Sequence, residues 1–185
     1  MSGRLTVGVI LGLVFAVAAP PAPAVGQEGT PDHPEAEPSD VESPSAIVQA
    51  LVESYSSEAG ERPEWERYFS LFLPEARLIP TGRDSAGEPV HQVQTVRQVV
   101  ESLETNQRIE QHLVERLIHT EIERFGDIAH VLCTYEVFNS AGRSEPTSRG
   151  IGSLQLWYDG DRWWIASMMW HGERTGARIP EEYGG

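Results

Sequence analysis

Near residue 112 the hydrophobic pattern of this chain changes its period, and that change limits the folds open to it. From Ser45 to about Glu104 apolar residues recur at three- and four-residue spacing, whereas from there to His171 they alternate. HLVERLIHTEIER and IAHVLCTYEVF flank Phe125-Gly126-Asp127, and RGIGSLQLWYD and RWWIASMMWH flank Gly160-Asp161. The alternating half therefore reads as two long hairpins with Gly-Asp turns. Helices first and long strands last predict an α+β domain: a cone-shaped, curved antiparallel sheet with the N-terminal helices packed in its concave face.

In the helical half, Ser45 is placed to cap SAIVQALVESY, with Ile47, Val48, Leu51, Val52 and Tyr55 on one face. Pro63 suits the first turn of PEWERYFSLF, whose stripe is Trp65, Tyr68, Phe69 and Phe72. Leu73-Pro74 stops that helix, Ala76 to Ile79 reads as a short strand, and TGRDSAGEP as a loop. Val93 to about Glu104 returns to helix.

Two segments precede the domain. Arg4, the almost wholly apolar Leu5–Ala19 and the A-x-A site ending at Ala24 form the pattern of a secretory signal peptide over residues 1–24. Residues 25–45 hold six acids and no base, so they are expected to be a disordered, Pro-rich acidic spacer. Residues 46–185 then form one domain, exported to the periplasm or the extracellular space and without a membrane segment after cleavage. Its 22 acidic residues face 13 arginines, which argues against nucleic acid as a partner. The chain has no lysine, which excludes a lysine Schiff base. Its one cysteine, Cys133, lies in an apolar strand and is expected to be a buried, inert thiol.

With turns at Gly126-Asp127, one face of the first hairpin pairs Arg124 with Ala129, Ile122 with Val131, Thr120 with Cys133 and Ile118 with Tyr135. That face is apolar and should meet the helices. The opposite face, with Glu115, His119, Glu121, Glu123 and His130, is polar. The second hairpin is apolar on both faces: Leu154, Leu156, Tyr158, Trp163, Ile165 and Met169 on one, Ile151, Trp157, Trp164, Met168 and Trp170 on the other. A sheet apolar on both faces must cover both. The second set is therefore expected to form a homodimer interface through Trp157, Trp164 and Trp170.

Taken together, these elements resemble the nuclear transport factor 2-like superfamily, which includes the SnoaL-like domains. WERYFSLFLPEARLI resembles its helix followed by an F-x-x-D-A entrance, with Glu75-Ala76 at the Asp-Ala position. ERFGDIAHVLCTYE and SLQLWYDGDRWWIASMMW resemble its first and last long hairpins, so the resemblance covers roughly residues 46–172. It implies a pocket between the helices and the concave sheet. It does not imply one reaction, because the superfamily holds enzymes and non-enzymatic binders alike. Ketosteroid isomerase-like members carry a catalytic aspartate just after the first short strand, where this chain has Pro80.

The polar residues on the expected inner face are Arg116, Thr120, Tyr135, Ser167 and His171, with Tyr55 and Tyr68 from the helices and Met169 beside them. An arginine next to a tyrosine hydroxyl would suit a carboxylate or enolate oxygen, and His171 could act as a base near neutral pH. Arg116 could equally pair with a helix carboxylate, and the tyrosines could be core. His119, Glu121, Glu123 and His130 form a flat row rather than a convergent cage, so no metal is expected, and no cofactor motif is present. Three functions follow: a binder of a small, largely apolar molecule with Tyr55, Tyr68, Thr120, Ser167 and Met169 at its pocket; an acid–base enzyme using His171, Arg116 and Tyr135; or a homodimeric interaction module with a filled interior.

Overall fold

The computed structural model describes residues 33–58, 61–105, 113–139 and 143–185. The expected signal peptide, residues 1–24, and residues 25–32 of the expected spacer lie outside the described residues. Ser43 caps the main helix through a 3.1 Å hydrogen bond from the Ala46 amide, and Pro44 takes the first helical position. The helices are α1 (Pro38–Val41), α2 (Pro44–Tyr55), α3 (Trp65–Ser70) and α4 (Val96–Thr105). The strands are β1 (Phe72–Arg83), β2 (Pro89–His91), β3 (Val114–Phe125), β4 (Ile128–Phe138), β5 (Ser148–Tyr158) and β6 (Trp163–Gly172), in the order β2-β1-β6-β5-β4-β3.

This is the expected α+β architecture, with two differences of detail. The short strand expected at Ala76–Ile79 runs on as the twelve-residue β1, and the segment read as a loop returns as β2. β1 lies parallel to β6, so the sheet is mixed rather than wholly antiparallel. The apolar hairpin β5–β6 sits in the middle of the sheet, which explains why both of its faces are apolar. Its inner residues Leu154, Leu156, Trp163 and Ile165 are buried against Ile47, Val48 and Leu51 of α2 together with Phe72 and Leu78.

Both long hairpins contain one residue too many. Thr120, Ile122 and Arg124 pair with Cys133, Val131 and Ala129 as expected, and Gly126 takes the positive φ of 58° that the turn requires. Further along, His119 pairs with Thr134 but Leu117 pairs with Tyr135, leaving Ile118 as an extra residue. In β6, Ile165 pairs with Leu156 but Ser167 with Gln155, leaving Ala166 extra. Because side chains alternate faces, one inserted residue exchanges the faces of everything beyond it. Leu113, Glu115 and Leu117 therefore turn inward and Arg116 outward. Likewise Met168 and Trp170 turn inward while Ser167, Met169 and His171 turn outward. Seven expected orientations, of Glu115, Arg116, Ser167, Met168, Met169, Trp170 and His171, are reversed.

The folded body also starts earlier than residue 46. One acid of residues 33–45 finds its base outside that segment: Arg67 of α3 bonds both oxygens of Asp40, at 2.7 and 3.0 Å, and also reaches Glu53 at 2.9 Å and Glu64 at 3.1 Å. Val41 beside Asp40 is buried in the core. This part of the spacer is ordered because the pairing is bidentate and half-buried. At the other end, the C-terminal residues lie on the outer face of the sheet. Thr134 donates a 2.8 Å hydrogen bond to the Tyr183 carbonyl, Arg149 donates to Gly184, and Ile179 is buried.

Replacing Asp40 by alanine should leave the fold intact but cost roughly 1–3 kcal/mol, because Arg67 keeps its burial and loses its best partner. Thermal unfolding should show Tm lower by roughly 3–8 °C, whereas the same change at the exposed Glu35 should not move it.

Candidate functional site

Between α2, α3 and α4 and the inner face of β3–β6 lies a cavity of about 250 Å³. The glycines of β5 make room at its wall for side chains of β4. Gly150 faces Tyr135 across the ladder, and a Cβ there would fall 2.3 Å from the Tyr135 hydroxyl oxygen and 2.6 Å from the His171 carbonyl. The Tyr135 phenol thus lies over bare backbone, a position that only glycine permits. Gly152 opens the next level, where a Cβ would come 3.2 Å from the Cys133 sulfur.

Glu115 is brought to this cavity by a stitch between the end of α2 and the start of β3. Ser57 and Leu113 exchange backbone hydrogen bonds of 2.8 and 3.0 Å. Ser56 Oγ accepts from the Glu115 amide at 3.0 Å and donates to the Val52 carbonyl at 2.7 Å. The bulge at Ile118 then turns the Glu115 side chain inward, where it lines the cavity with Tyr55, Tyr68, Cys133 and Tyr135. Leu117, Val137, Leu154, Met168 and Trp170 supply apolar wall.

The electrostatics follow from that apolar wall. Burial alone pushes the Glu115 carboxyl up to about 7. Burial, then the neighbouring Tyr55 and the Glu115 charge, raise the Tyr68 phenol far above its ordinary range, and burial with the Glu115 charge does the same to Tyr135. Cys133 is pushed up to about 12, mainly by burial, so it stays a thiol and does not act as a nucleophile. The site can hold or move one proton near neutral pH at Glu115 and can donate hydrogen bonds from phenols.

Of the residues expected from sequence, the structure brings Tyr55, Tyr68 and Tyr135 together at the cavity. Thr120 keeps its inward register but stands exposed beside the start of α2, next to Ser45 and Gln49 in a separate shallow concavity. Arg116 lies across from Glu136 on the outer face, its guanidinium 4.6 Å from the Phe138 ring centre. Ser167 and Met169 are on the outer face too. His171 is held by both ring nitrogens: Thr81 Oγ1 lies 2.8 Å from Nδ1, and Arg174 Nε donates to Nε2 at 3.2 Å. Both ring nitrogens of His171 are thus engaged outside the cavity. Outside the cavity, His119 lies 3.4 Å from Glu121 and His130 4.0 Å from Glu123, and among the described residues no three His, Cys, Asp or Glu side chains gather into a cluster able to hold a metal.

Sequence reasoning missed Glu115, Met168 and Trp170. One signal was available for the first: Leu113-Val114-Glu115-Arg116-Leu117 alternates by itself with Glu115 on the leucine face. Carrying the register back from the turn hid that local pattern.

No family model matches this sequence, and no curated protein matches it. Solved structures do. A protein of unknown function with a cystatin-like fold from Nostoc punctiforme is similar at a TM-score of 0.52 and 11% identity, over 70% of this chain and 87% of that one. An NTF2-like protein of unknown function from Methylobacillus flagellatus is similar at 0.47 and 14%, over 70% of this chain and 89% of that one. An NTF-2 like protein of unknown function from Silicibacter pomeroyi is similar at 0.44 and 20%, over 70% and 92% respectively. The likeness at 0.52 shows a fold shared with that cystatin-like protein, a curved α+β sheet with helices on one side. At these identities the likeness concerns the fold alone.

The raised Glu115 carboxyl makes stability depend on pH in one direction. Below its ordinary value of 4.5 the folded and unfolded chains both hold the proton. As pH rises from there to about 7 the unfolded chain releases it first, so the folded state loses stability, and above about 7 the penalty is constant. Glu115→Gln should therefore stabilise the protein at pH 8 by roughly 2–3 kcal/mol and leave it unchanged at pH 4, as read from chemical denaturation at the two pH values.

Proposed function

We propose that this chain is an exported, SnoaL-like binding protein whose nuclear transport factor 2-like domain holds a small, largely apolar molecule in the cavity. The observation that carries this reading is a preformed hollow of about 250 Å³ with apolar walls and a few polar groups, Glu115 and the three tyrosines, facing into it. A filled interior, as an interaction module would have, does not fit that hollow. Export rests on the pattern of residues 1–24.

A second reading is favoured by one feature, the carboxyl that titrates near 7 beside phenolic donors. Glu115 would serve as general base and Tyr135 as the hydrogen-bond donor to the developing oxyanion. His171 and Arg116 take no part in this version. Pairing of two copies remains part of the proposal, through the part of the outer face left open. There Phe125, Ile128, Trp157 and Met169 are exposed, whereas Trp164 is packed against Arg162 and His33 and Trp170 faces the cavity.

Native mass spectrometry of the protein taken from its own host compartment should show a bound small molecule that denaturation releases. Leu103→Trp, which places an indole at the cavity wall, should abolish the adduct without lowering Tm by more than a few degrees; an adduct that survives it would place the ligand elsewhere. Trp157→Glu should convert the dimer to a monomer by light scattering with the cavity unaffected, and a dimer that persists would refute the outer-face contact.

A further inference from the structure

The polar chemistry of the cavity is one-sided. Its described lining carries one carboxyl, Glu115, and four aromatic rings, Tyr55, Tyr68, Tyr135 and Trp170, but no arginine or histidine. Among the described residues none of the ion pairs involves Glu115; the paired arginines, Arg67, Arg149 and Arg178, meet Asp40, Glu53, Glu64, Glu136 and Glu173 instead. A carboxylate held in apolar surroundings without a counter-charge repels an anionic ligand and gains most from a cationic one, which replaces the hydration it lost. Aromatic rings act in the same sense. Their faces attract a cation and have no comparable attraction for an anion. Tyr55 and Tyr68 stand 6.5 Å apart at a 40° angle, giving two inclined walls near the carboxyl. The formal charge of −14, without a single lysine, draws cations toward the protein over longer distances.

We propose that the cavity ligand is a hydrophobic amine or quaternary ammonium compound. Its cationic head lies at the Glu115 carboxylate among Tyr55, Tyr68 and Tyr135, and its apolar body fills the end walled by Leu154, Met168 and Trp170. A hollow of about 150 Å³ is known to admit benzene, so one of about 250 Å³ has room for a single ring with a branched ammonium group. This inference rests on the binding reading above and adds the chemical class.

Isothermal titration calorimetry of the mature protein with three probes tests it: benzyltrimethylammonium, benzyl alcohol and phenylacetate, each at pH 8 and pH 5.5. Among the described residues, the groups lining the cavity with Glu115 are Tyr55 of α2, Tyr68 of α3 and Cys133 and Tyr135 of β4, none of them a carboxylate or an imidazole. Among the described cavity-lining residues, the carboxyl raised to about 7, Glu115, is the group whose charge changes between these two pH values. The ammonium probe should bind at least about tenfold more tightly than benzyl alcohol at pH 8, phenylacetate should not bind, and the preference should shrink by about tenfold at pH 5.5 as the carboxyl takes up its proton. Glu115→Gln should erase the preference at pH 8; if that variant does not fold, the pH dependence of the unmodified protein decides. Benzyl alcohol bound as tightly as the ammonium probe, or phenylacetate bound at all, overturns the amine assignment while leaving a binding cavity. No saturable heat from any probe, with no adduct in native mass spectrometry, overturns both.

Discussion

The site depends on two residues that have no partner across the ladder. Ile118 in β3 and Ala166 in β6 each add one residue to a strand, and each turns over the half of its strand that leads to the cavity. Without the first, Arg116 would face inward and Glu115 would face solvent; without the second, His171 and Ser167 would replace Trp170 and Met168 in the wall. A cavity with an arginine and a histidine would attract anions. The cavity that exists has a carboxyl and aromatic rings and has the opposite preference. Sheet register thus sets the sign of the charge inside the protein.

At the wall of the hollow, the glycines of β5 make room for side chains of β4. Gly150 and Gly152 leave the middle of β5 bare, Tyr135 lies over the first, and α2 and α4 bridge above without filling the gap. In that space burial dominates every titratable group. It moves the carboxyl of Glu115 toward neutrality and keeps the Tyr68 and Tyr135 phenols and the Cys133 thiol protonated, so among these described groups the proton near neutral pH is held at Glu115. The stitch from Ser56 and Ser57 to β3 keeps that carboxyl beside the end of α2.

The two ends of the described chain are fixed on different sides of the sheet, with Asp40 held to the helix layer and His33 and the C-terminal turn lying against the outer face. Arg67 ties Asp40 down, and His33 lies 5.5 Å from the Trp164 ring, which also stacks on Arg162 and donates a 2.6 Å hydrogen bond to Asp159. The C-terminal turn covers Thr134 and packs Tyr183 against His119 at 5.6 Å. A sheet whose central strands are apolar on both faces is thus covered on its outer side in part by its own termini, which leaves a smaller exposed patch than the strand pattern suggests.

The sequence by itself determined the types and order of α2 to α4 and of the long strands β3 to β6, the two hairpin turns and the apolar character of the central strands, because each is written in local spacing and in glycine's tolerance of positive φ. It also determined that Tyr55, Tyr68 and Tyr135 face inward: the helical stripe places the first two, and the register from the Gly126 turn happens to give the right face for the third. Only the tertiary structure decided the faces of Glu115, Arg116, Ser167, Met168, Met169, Trp170 and His171. A bulge costs little and has no fixed residue signature at Ile118 or Ala166, and its position is chosen by how the curved sheet fits the helices. The same holds for Asp40, whose partner Arg67 is 27 residues away. Composition alone made that segment look unable to fold, and the long-range ion pair is what places it.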